Sequence, residues 1–242
     1  FNFTKKNEIN SSFQPIPLKI DLPNNFPEIE HPIDNPLTEQ GVLLGRHLFW
    51  ETKLSGDNTI SCASCHLPEN AFSDPSSLSV GIHGDLGTRN AMVLQNLAWS
   101  KDFFWDGSFI SLEKQILIPV LDSNEMDETW SNFFTEIKYD NNYRRMFYEA
   151  FGTIEPDSIH AVKAIAQFLR TMISGSSKYD VMYKYENNLS LNSEEQSIYT
   201  TITPSEWAGY DLFKSLNGAD CFHCHKGTMM QVNGFSNNGL DA

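Results

Sequence analysis

Residues 62–66 read Cys-Ala-Ser-Cys-His, and residues 221–225 read Cys-Phe-His-Cys-His. Both stretches match C-x-x-C-H, the pattern that is typical of c-type haem attachment. In such sites the two thiols form thioether bonds to the porphyrin, and the adjacent histidine is the proximal iron ligand. Two cysteines three positions apart lie on one face of a helical turn. Because the two copies use all four cysteines of the chain, we expect two covalently bound haem c groups.

Other roles are open to these cysteines on sequence grounds. A C-x-x-C pair can act as a redox dithiol, and two such pairs can build one zinc site. Disulfides are a third option, because an extracytoplasmic chain can oxidise its thiols. Zinc and dithiol chemistry give no reason for His66 and His225 to follow directly after the second cysteine of each pair. We therefore interpret the cofactor-binding residues as the two motifs, namely Cys62, Cys65, His66, Cys221, Cys224 and His225.

Composition limits the class of protein. The chain has 242 residues, of which 40% are hydrophobic and 12% aromatic, so it is long enough for two modest cores. No apolar run approaches the roughly 20 residues that span a bilayer. The formal charge of −14 disfavours nucleic acid and anionic membranes as partners. This negative charge either suits docking of an electron-donor protein with a basic or mixed-charge face or simply keeps the protein soluble.

The attachment chemistry also predicts where the protein resides. Haem c is attached outside the cytoplasm, so we expect a periplasmic or otherwise extracytoplasmic protein, with a lipid anchor as one option. No leader is visible at Phe1, and we expect one to have been removed.

The order of segments predicts a mainly α fold with two cytochrome c-like haem domains and long loops. Residues 1–34 are expected to form an extended arm, and a first helix is expected to begin near Asn35-Pro36, with Asn35 as its cap. Residues 67–96 are rich in Pro, Ser, Gly and Asp, which predicts a functional loop. Helical patterns follow at 111–121, 130–137, 143–151 and 156–173, and again after Thr203. The predicted domains are residues 35–176 and 177–242, each with one haem motif.

Several further segments carry a family resemblance. They are Leu44-Gly45-Arg46, Phe49, Leu54-Ser55, Ile60-Ser61-Cys62, Ala71-Phe72-Ser73-Asp74, Ser79-Val80-Gly81, Gly87-Thr88-Arg89-Asn90, Phe104-Trp105-Asp106-Gly107, Leu112-Glu113-Lys114-Gln115, Pro119 and Glu125-Met126. In these motifs and their spacing, the chain from about residue 35 to its end resembles the dihaem bacterial cytochrome c peroxidase family, which includes the MauG-type enzymes.

The resemblance implies a cytochrome c peroxidase that reduces hydrogen peroxide to water. The first haem would be the low-potential peroxidatic site, and the second would be the high-potential site of electron entry. The implied donor is a small cytochrome c or cupredoxin, and a homodimer is compatible with this expectation. Two alternatives stay open: a MauG-like oxidase acting on a protein or small-molecule substrate, and a dihaem electron carrier without substrate chemistry.

The resemblance also implies roles for single residues. Trp105 matches a tryptophan placed for electron transfer between the haems, and Asn90 matches a ligand of a calcium ion. Gln115 and Glu125 match the family's pair of catalytic residues in the distal pocket of the peroxidatic haem. Peroxide must lose a proton from one oxygen and gain one on the other, and one carboxylate can do both in turn. The alternative for Glu125 is an ordinary exposed acid in an acidic turn.

His83 and the second iron leave two ligand questions. Many family members carry a histidine directly after Ser-Val-Gly that ligates the peroxidatic iron in the resting enzyme. Here His83 lies one residue later, so it is either that ligand or a polar loop residue beside an open iron. In the family, the sixth ligand of the second haem normally comes from a segment downstream of the second motif. The sequence to Ala242 does not include that segment, so we expect the 177–242 domain to be C-terminally incomplete here. Met229 and Met230 are too close to His225 to reach the opposite haem face, so we expect them to pack rather than ligate.

Overall fold

The regular structure of the chain is almost entirely helical. The computed structural model describes residues 13–232 and Gly234, and strand pairing among these residues is limited to four isolated bridges. The predicted mainly α fold class is confirmed. None of the helices in this part of the chain is long and apolar enough to cross a membrane.

The chain divides into two units, each of which carries one C-x-x-C-H motif. Within the described residues, the first unit contains 13–19 and His31–Met172, and the second contains Ile20–Glu30 and 173–232. The first unit holds α1 (Glu39–Phe49), α2 (Cys62–Cys65), α3 (Leu112–Leu121), α4 (Trp130–Ile137), α5 (Asn141–Phe151) and α6 (Ser158–Arg170). The second unit holds α7 (Lys178–Glu186), α8 (Ser193–Tyr199) and α9 (Pro204–Lys214).

The core of the first unit is built where α1 packs against α6. Leu44 and Leu48 of α1 are completely buried, and Ile165 of α6 is 1% exposed. Gly45 allows the close approach, because an ideal Cβ on this residue would lie 1.9 Å from the carbonyl oxygen of Ala164. This packing fixes the positions of α1 and α6, which lie beside the first haem motif.

The first helix begins later than the sequence predicts. Thr38, not Asn35, is the N-cap of α1, and its hydroxyl accepts a hydrogen bond from the Gly41 amide at 3.0 Å. Asn35 instead accepts a hydrogen bond from Gln167 at 2.9 Å through its side-chain oxygen and donates to Glu113 at 2.8 Å through its amide nitrogen. The predicted cap was therefore wrong, because long-range partners claim the Asn35 side chain.

Two helices of the second unit were not indicated by the sequence pattern. In α7 the buried residues include Asp180 and Lys184 as well as Val181 and Met182, so the helix lacks a clean apolar stripe. The Lys184 ammonium group is paired with Glu195 of α8 at 2.5 Å, and both side chains are 2% exposed. Burial of an ion pair hides the helical periodicity that sequence reading depends on.

Candidate active-site cavity

The first unit contains a cavity of about 390 Å³ beside the first C-x-x-C-H motif. This volume lies in the range of roughly 300–1,000 Å³ that is typical of ligand pockets. Apolar side chains such as Phe49, Ile165 and Leu169 form much of the wall. The wall also contains seven of the sequence-predicted site residues: Cys62, Cys65, His66, Asn90, Trp105, Gln115 and Glu125.

His66 is held in the orientation that an iron ligand needs. It follows the short helix α2, and its Nδ1 donates to the carbonyl oxygen of Phe72 at 3.1 Å. The hydrogen on Nδ1 leaves the Nε2 lone pair available for a metal. Burial lowers the pKa of His66, which favours the neutral imidazole that binds metals.

The carbonyl that orients His66 comes from a tight turn. Ala71 and Phe72 both have left-handed backbones, with φ of 57° and 56°. The Phe72 amide donates to Leu67 at 2.8 Å, which closes the turn over residues 67–73. No sequence pattern indicated this carbonyl partner, although Ala71 and Phe72 belong to a segment that matches a family motif.

The cysteines also suit covalent haem attachment. All four lie in the described part of the chain, and none of them forms a disulfide there. Burial raises the pKa of Cys62 to about 12, so this site favours an uncharged sulfur, which a thioether provides. Within residues 13–232 and Gly234, no group of three or more His, Cys, Asp or Glu side chains is placed to hold a metal ion.

Glu125 reaches the cavity from a turn that is anchored through its backbone. The Ile82 amide donates to the Glu125 carbonyl at 3.0 Å, and the Gly56 amide donates to the Met126 carbonyl at 2.8 Å. Gly81 is required for this approach, because an ideal Cβ would lie 2.0 Å from the Asn124 carbonyl oxygen. The turn is thus fixed by two separate loops.

The environment of Glu125 makes ionisation of its carboxyl harder than in water. The residue is open to the cavity, yet surrounding protein atoms and then the nearby Asp122 carboxylate raise the pKa of Glu125. Gln115 lines the same cavity from α3, a helix capped by the Ser111 hydroxyl, which accepts from Lys114 N. A titratable acid and a neutral amide therefore share one cavity with His66.

Trp105 and Asn90 lie together at the cavity wall. The Trp105 indole nitrogen donates to the Asn90 carbonyl oxygen at 2.9 Å, which fixes the indole ring although it is 52% exposed. The side-chain amide of Asn90 donates to the Ser77 carbonyl oxygen at 2.6 Å. These contacts do not test the calcium ion expected at Asn90, so this ion stays a prediction.

His83 is absent from the lining of this cavity as the described residues form it. Its side chain is exposed, and its Nε2 lies 2.7 Å from the Asp127 carboxylate. The hydrogen bond to Asp127 is the main cause of a raised pKa at His83. The His83 side chain is therefore engaged with an acid outside the cavity.

The second motif repeats the arrangement of the first. Cys221–His223 form one 3-10 turn, and His225 Nδ1 donates to the carbonyl oxygen of Met230 at 3.2 Å. His223, at a spacer position, is hydrogen-bonded to Asp220 at 2.5 Å instead. In both motifs a backbone carbonyl five or six residues downstream orients the proximal histidine. In the second motif Met230 does this through its main-chain carbonyl oxygen.

Comparison with known proteins finds relatives among di-haem cytochrome c peroxidases and MauG proteins. The family model described as "Di-haem cytochrome c peroxidase" matches residues 39–188. The methylamine utilization protein MauG of Methylorubrum extorquens is 33% identical over 215 residues, which cover 88% of this chain and 57% of that protein. Cytochrome c peroxidase Ccp of Escherichia coli is 29% identical over 241 residues, covering 99% of this chain and 45% of that protein.

Solved structures agree with these relatives. A crystal structure of a MauG-like protein associated with microbial copper homeostasis superposes with a TM-score of 0.76 and 32% identity, covering 88% of this chain and 59% of that chain. The diheme peroxidase BthA of Burkholderia thailandensis shares the fold, with a TM-score of 0.65 and 23% identity. This chain therefore spans about half to three-fifths of the length of these relatives.

Proposed function

Because this chain belongs to the di-haem cytochrome c peroxidase family, we propose that it carries two covalently bound haem c groups and reduces hydrogen peroxide to water. One observation supports this most directly: the cavity of the first unit brings His66 together with Glu125 and Gln115. A pure electron carrier has no use for an acid–base group beside its iron. Because haem c is attached outside the cytoplasm, this proposal includes an extracytoplasmic location.

The roles of the cavity residues follow from their positions. When bound, haem supplies the oxidation–reduction chemistry. The His66 imidazole would hold the iron through Nε2, because its Nδ1 is hydrogen-bonded to the carbonyl oxygen of Phe72. The Glu125 carboxylate accepts a proton from one peroxide oxygen and returns it to the other as the O–O bond breaks. The Gln115 amide orients the peroxide for this transfer.

We assign electron entry to the second unit. Cys221, Cys224 and His225 would hold the second haem, and electrons would come from a small cytochrome c or cupredoxin. The net charge of −14 favours a donor with a basic or mixed-charge docking face. Trp105, whose indole is fixed at the cavity wall by Asn90, would pass electrons towards the first haem.

The acid–base role of Glu125 can be tested by substitution. The holoprotein should be produced in a host competent in cytochrome c maturation and assayed for peroxide reduction with a reduced small cytochrome. Glu125→Gln removes the proton acceptor and should lower kcat by about 10²–10⁴-fold, the usual contribution of such a group. Glu136→Gln, at an exposed position of α4 in the same unit, should leave kcat unchanged.

Two results would contradict the proposal. The first is full activity in Glu125→Gln while its haem spectrum stays intact. The second is the release of pigment from the native protein into acidified acetone, which covalent attachment prevents. A colourless protein from the maturation-competent host would have the same consequence.

A MauG-like oxidase is the second candidate, and the position of His83 favours it. The His83 side chain contacts Asp127 and is not part of the cavity lining, which suits an iron that stays open in the resting state. The ferric low-spin signal of the first haem is the discriminating measurement. If His83 is a resting-state ligand, the signal should vanish in His83→Ala; a high-spin native protein that is unchanged by the substitution favours the oxidase.

A further inference from the structure

The second unit contains a continuous row of oxidisable aromatic rings. In order, the rings are Tyr185 with Tyr199, then Trp207, Tyr210 and Tyr179; we call this row the aromatic relay. The Tyr185 and Tyr199 centroids are 4.8 Å apart. The following centroid distances along the relay are 5.7 Å (Tyr185 to Trp207), 5.9 Å (Trp207 to Tyr210) and 5.6 Å (Tyr210 to Tyr179).

The inner end of the relay meets the second haem motif. The Tyr179 hydroxyl donates to the carbonyl oxygen of Gly227 at 3.2 Å. Gly227 lies two residues after His225 and within the segment whose Met230 carbonyl orients that histidine. An electron leaving Tyr179 would therefore arrive beside the proximal ligand.

The outer end of the relay is at the surface. Tyr185 is 53% exposed, whereas Tyr210 in the middle is 5% exposed. Packing of an aromatic core accounts for the buried rings, but it gives no reason for the row to continue to a pair in which Tyr185 is exposed and Tyr199 is half-buried. An electron that enters the row from the surface would meet Tyr185 first, because this ring is open to solvent.

The buried phenol of the relay has a proton acceptor in place. The Tyr210 hydroxyl donates to Glu186 Oε2 at 2.9 Å, and the other oxygen of that carboxylate is paired with Lys214. Burial and the Glu186 contact raise the pKa of Tyr210, so the phenol keeps its proton at rest. On oxidation the proton can pass to Glu186 and return with the next electron.

We propose that the aromatic relay carries single electrons from the Tyr185–Tyr199 pair at the surface to the second haem site, which makes the pair a surface oxidation site. This inference depends on the peroxidase function proposed above, since hydrogen peroxide is the oxidant. Without an external donor, each phenol of the pair loses one electron through the relay and one proton to water. The two rings then join by a carbon–carbon bond, so that two phenols and one hydrogen peroxide give one dityrosine and two water molecules.

Mass spectrometry of the peroxide-treated holoprotein tests the relay. Cleavage after glutamate separates Tyr185 from Tyr199 at Glu186, Glu194 and Glu195, so a dityrosine bond would join two peptides with the loss of two hydrogens. We expect this cross-link, with its dityrosine fluorescence, in the wild type. Tyr139, which is 80% exposed in the first unit, should stay unmodified and is the internal control.

Matched substitutions separate the relay from simple surface oxidation. Tyr210→Phe interrupts the row and should reduce the cross-link to the level of untreated protein. Trp207→Phe should do the same and guards against a folding defect in the first variant. Tyr183→Phe is the control, because Tyr183 stacks on Tyr179 at 6.2 Å but lies on a side branch; its cross-link yield should match the wild type.

The outcomes distinguish the relay from the proposed function. A holoprotein that consumes peroxide with a reduced cytochrome but forms no cross-link would overturn the relay and leave the peroxidase function standing. Equal cross-linking in Tyr210→Phe, Trp207→Phe and the wild type would also overturn the relay. A holoprotein that consumes no peroxide would overturn both.

Discussion

Glu113→Gln should destabilise the first unit far more than loss of an ordinary surface charge. Glu113 lies on α3 two residues before Gln115, and its carboxylate accepts from Arg170 of α6 at 2.6 Å and 3.2 Å. Asn35 donates to the same carboxylate at 2.8 Å. The side chains of Arg170 and Glu113 are 8% and 17% exposed, so the pair holds α3 to α6 largely away from water.

The pKa of Glu113 sets the size of the effect. Hydrogen bonds and charge attraction from Arg170, which outweigh the opposing effect of burial, lower this pKa from 4.5 to about 2. A difference of roughly 2.5 units corresponds to at most about 3.4 kcal/mol at 1.36 kcal/mol per unit. Partial exposure screens the pair, so we expect a loss of about 2–3 kcal/mol in the free energy of unfolding.

Urea unfolding of the holoprotein, followed by circular dichroism at pH 7, measures this loss. Glu149→Gln is the matched control, because the Glu149–Arg145 pair is an exposed i,i+4 contact that contributes about 0.3–0.5 kcal/mol. A carboxyl with a lowered pKa stabilises the folded state above its unfolded pKa. The advantage of the wild type over Glu113→Gln should therefore shrink as the pH falls from 4.5 towards 2. If Glu113→Gln were as stable as Glu149→Gln at pH 7, the reasoning would be refuted.

Three further predictions concern the packing of glycines, a buried ion pair and the pH dependence of catalysis. Gly45→Ala should lower the free energy of unfolding by about 1–3 kcal/mol through overpacking against α6. Gly209→Ala, in α9 with open space around an ideal Cβ, should raise it by up to about 1 kcal/mol. Urea unfolding compares the two variants, and a loss of stability in both would contradict the packing argument. Lys184→Met strands the buried Glu195 carboxylate and should cost about 3–5 kcal/mol, and a second change of Glu195 to Leu should recover much of that loss in the same assay. The raised pKa of Glu125 predicts that kcat falls on the acidic side as its carboxylate is protonated, with a midpoint above the ordinary 4.5; a pH–rate profile with a midpoint at or below 4.5 would contradict this.

The haem motifs and the helical class could be read from the sequence because both are local. Successive covalent bonds set the spacing of Cys62, Cys65 and His66, and the 3.6-residue period reveals the helices that bury one apolar stripe. The resemblance selected the cavity residues Gln115 and Glu125 through matching motifs.

Other features depend on partners that are distant along the chain. Asn35 does not cap the first helix because its side chain is bonded to Gln167, 132 residues away. His83 contacts Asp127, 44 residues away, and neither spacing has a signature in the sequence. The buried Lys184–Glu195 pair likewise removed the apolar pattern of α7.

The sequence alone determined which residues can attach two porphyrins, since that chemistry needs only neighbouring side chains. Tertiary structure decided which ring nitrogen of His66 and His225 is free, because this depends on the carbonyl oxygens of Phe72 and Met230 in turns with left-handed backbones. It also decided that Glu125, in the acidic 122–128 turn, lines the cavity. The packing of helices and loops that are far apart in the chain places these groups, and no local pattern encodes that packing.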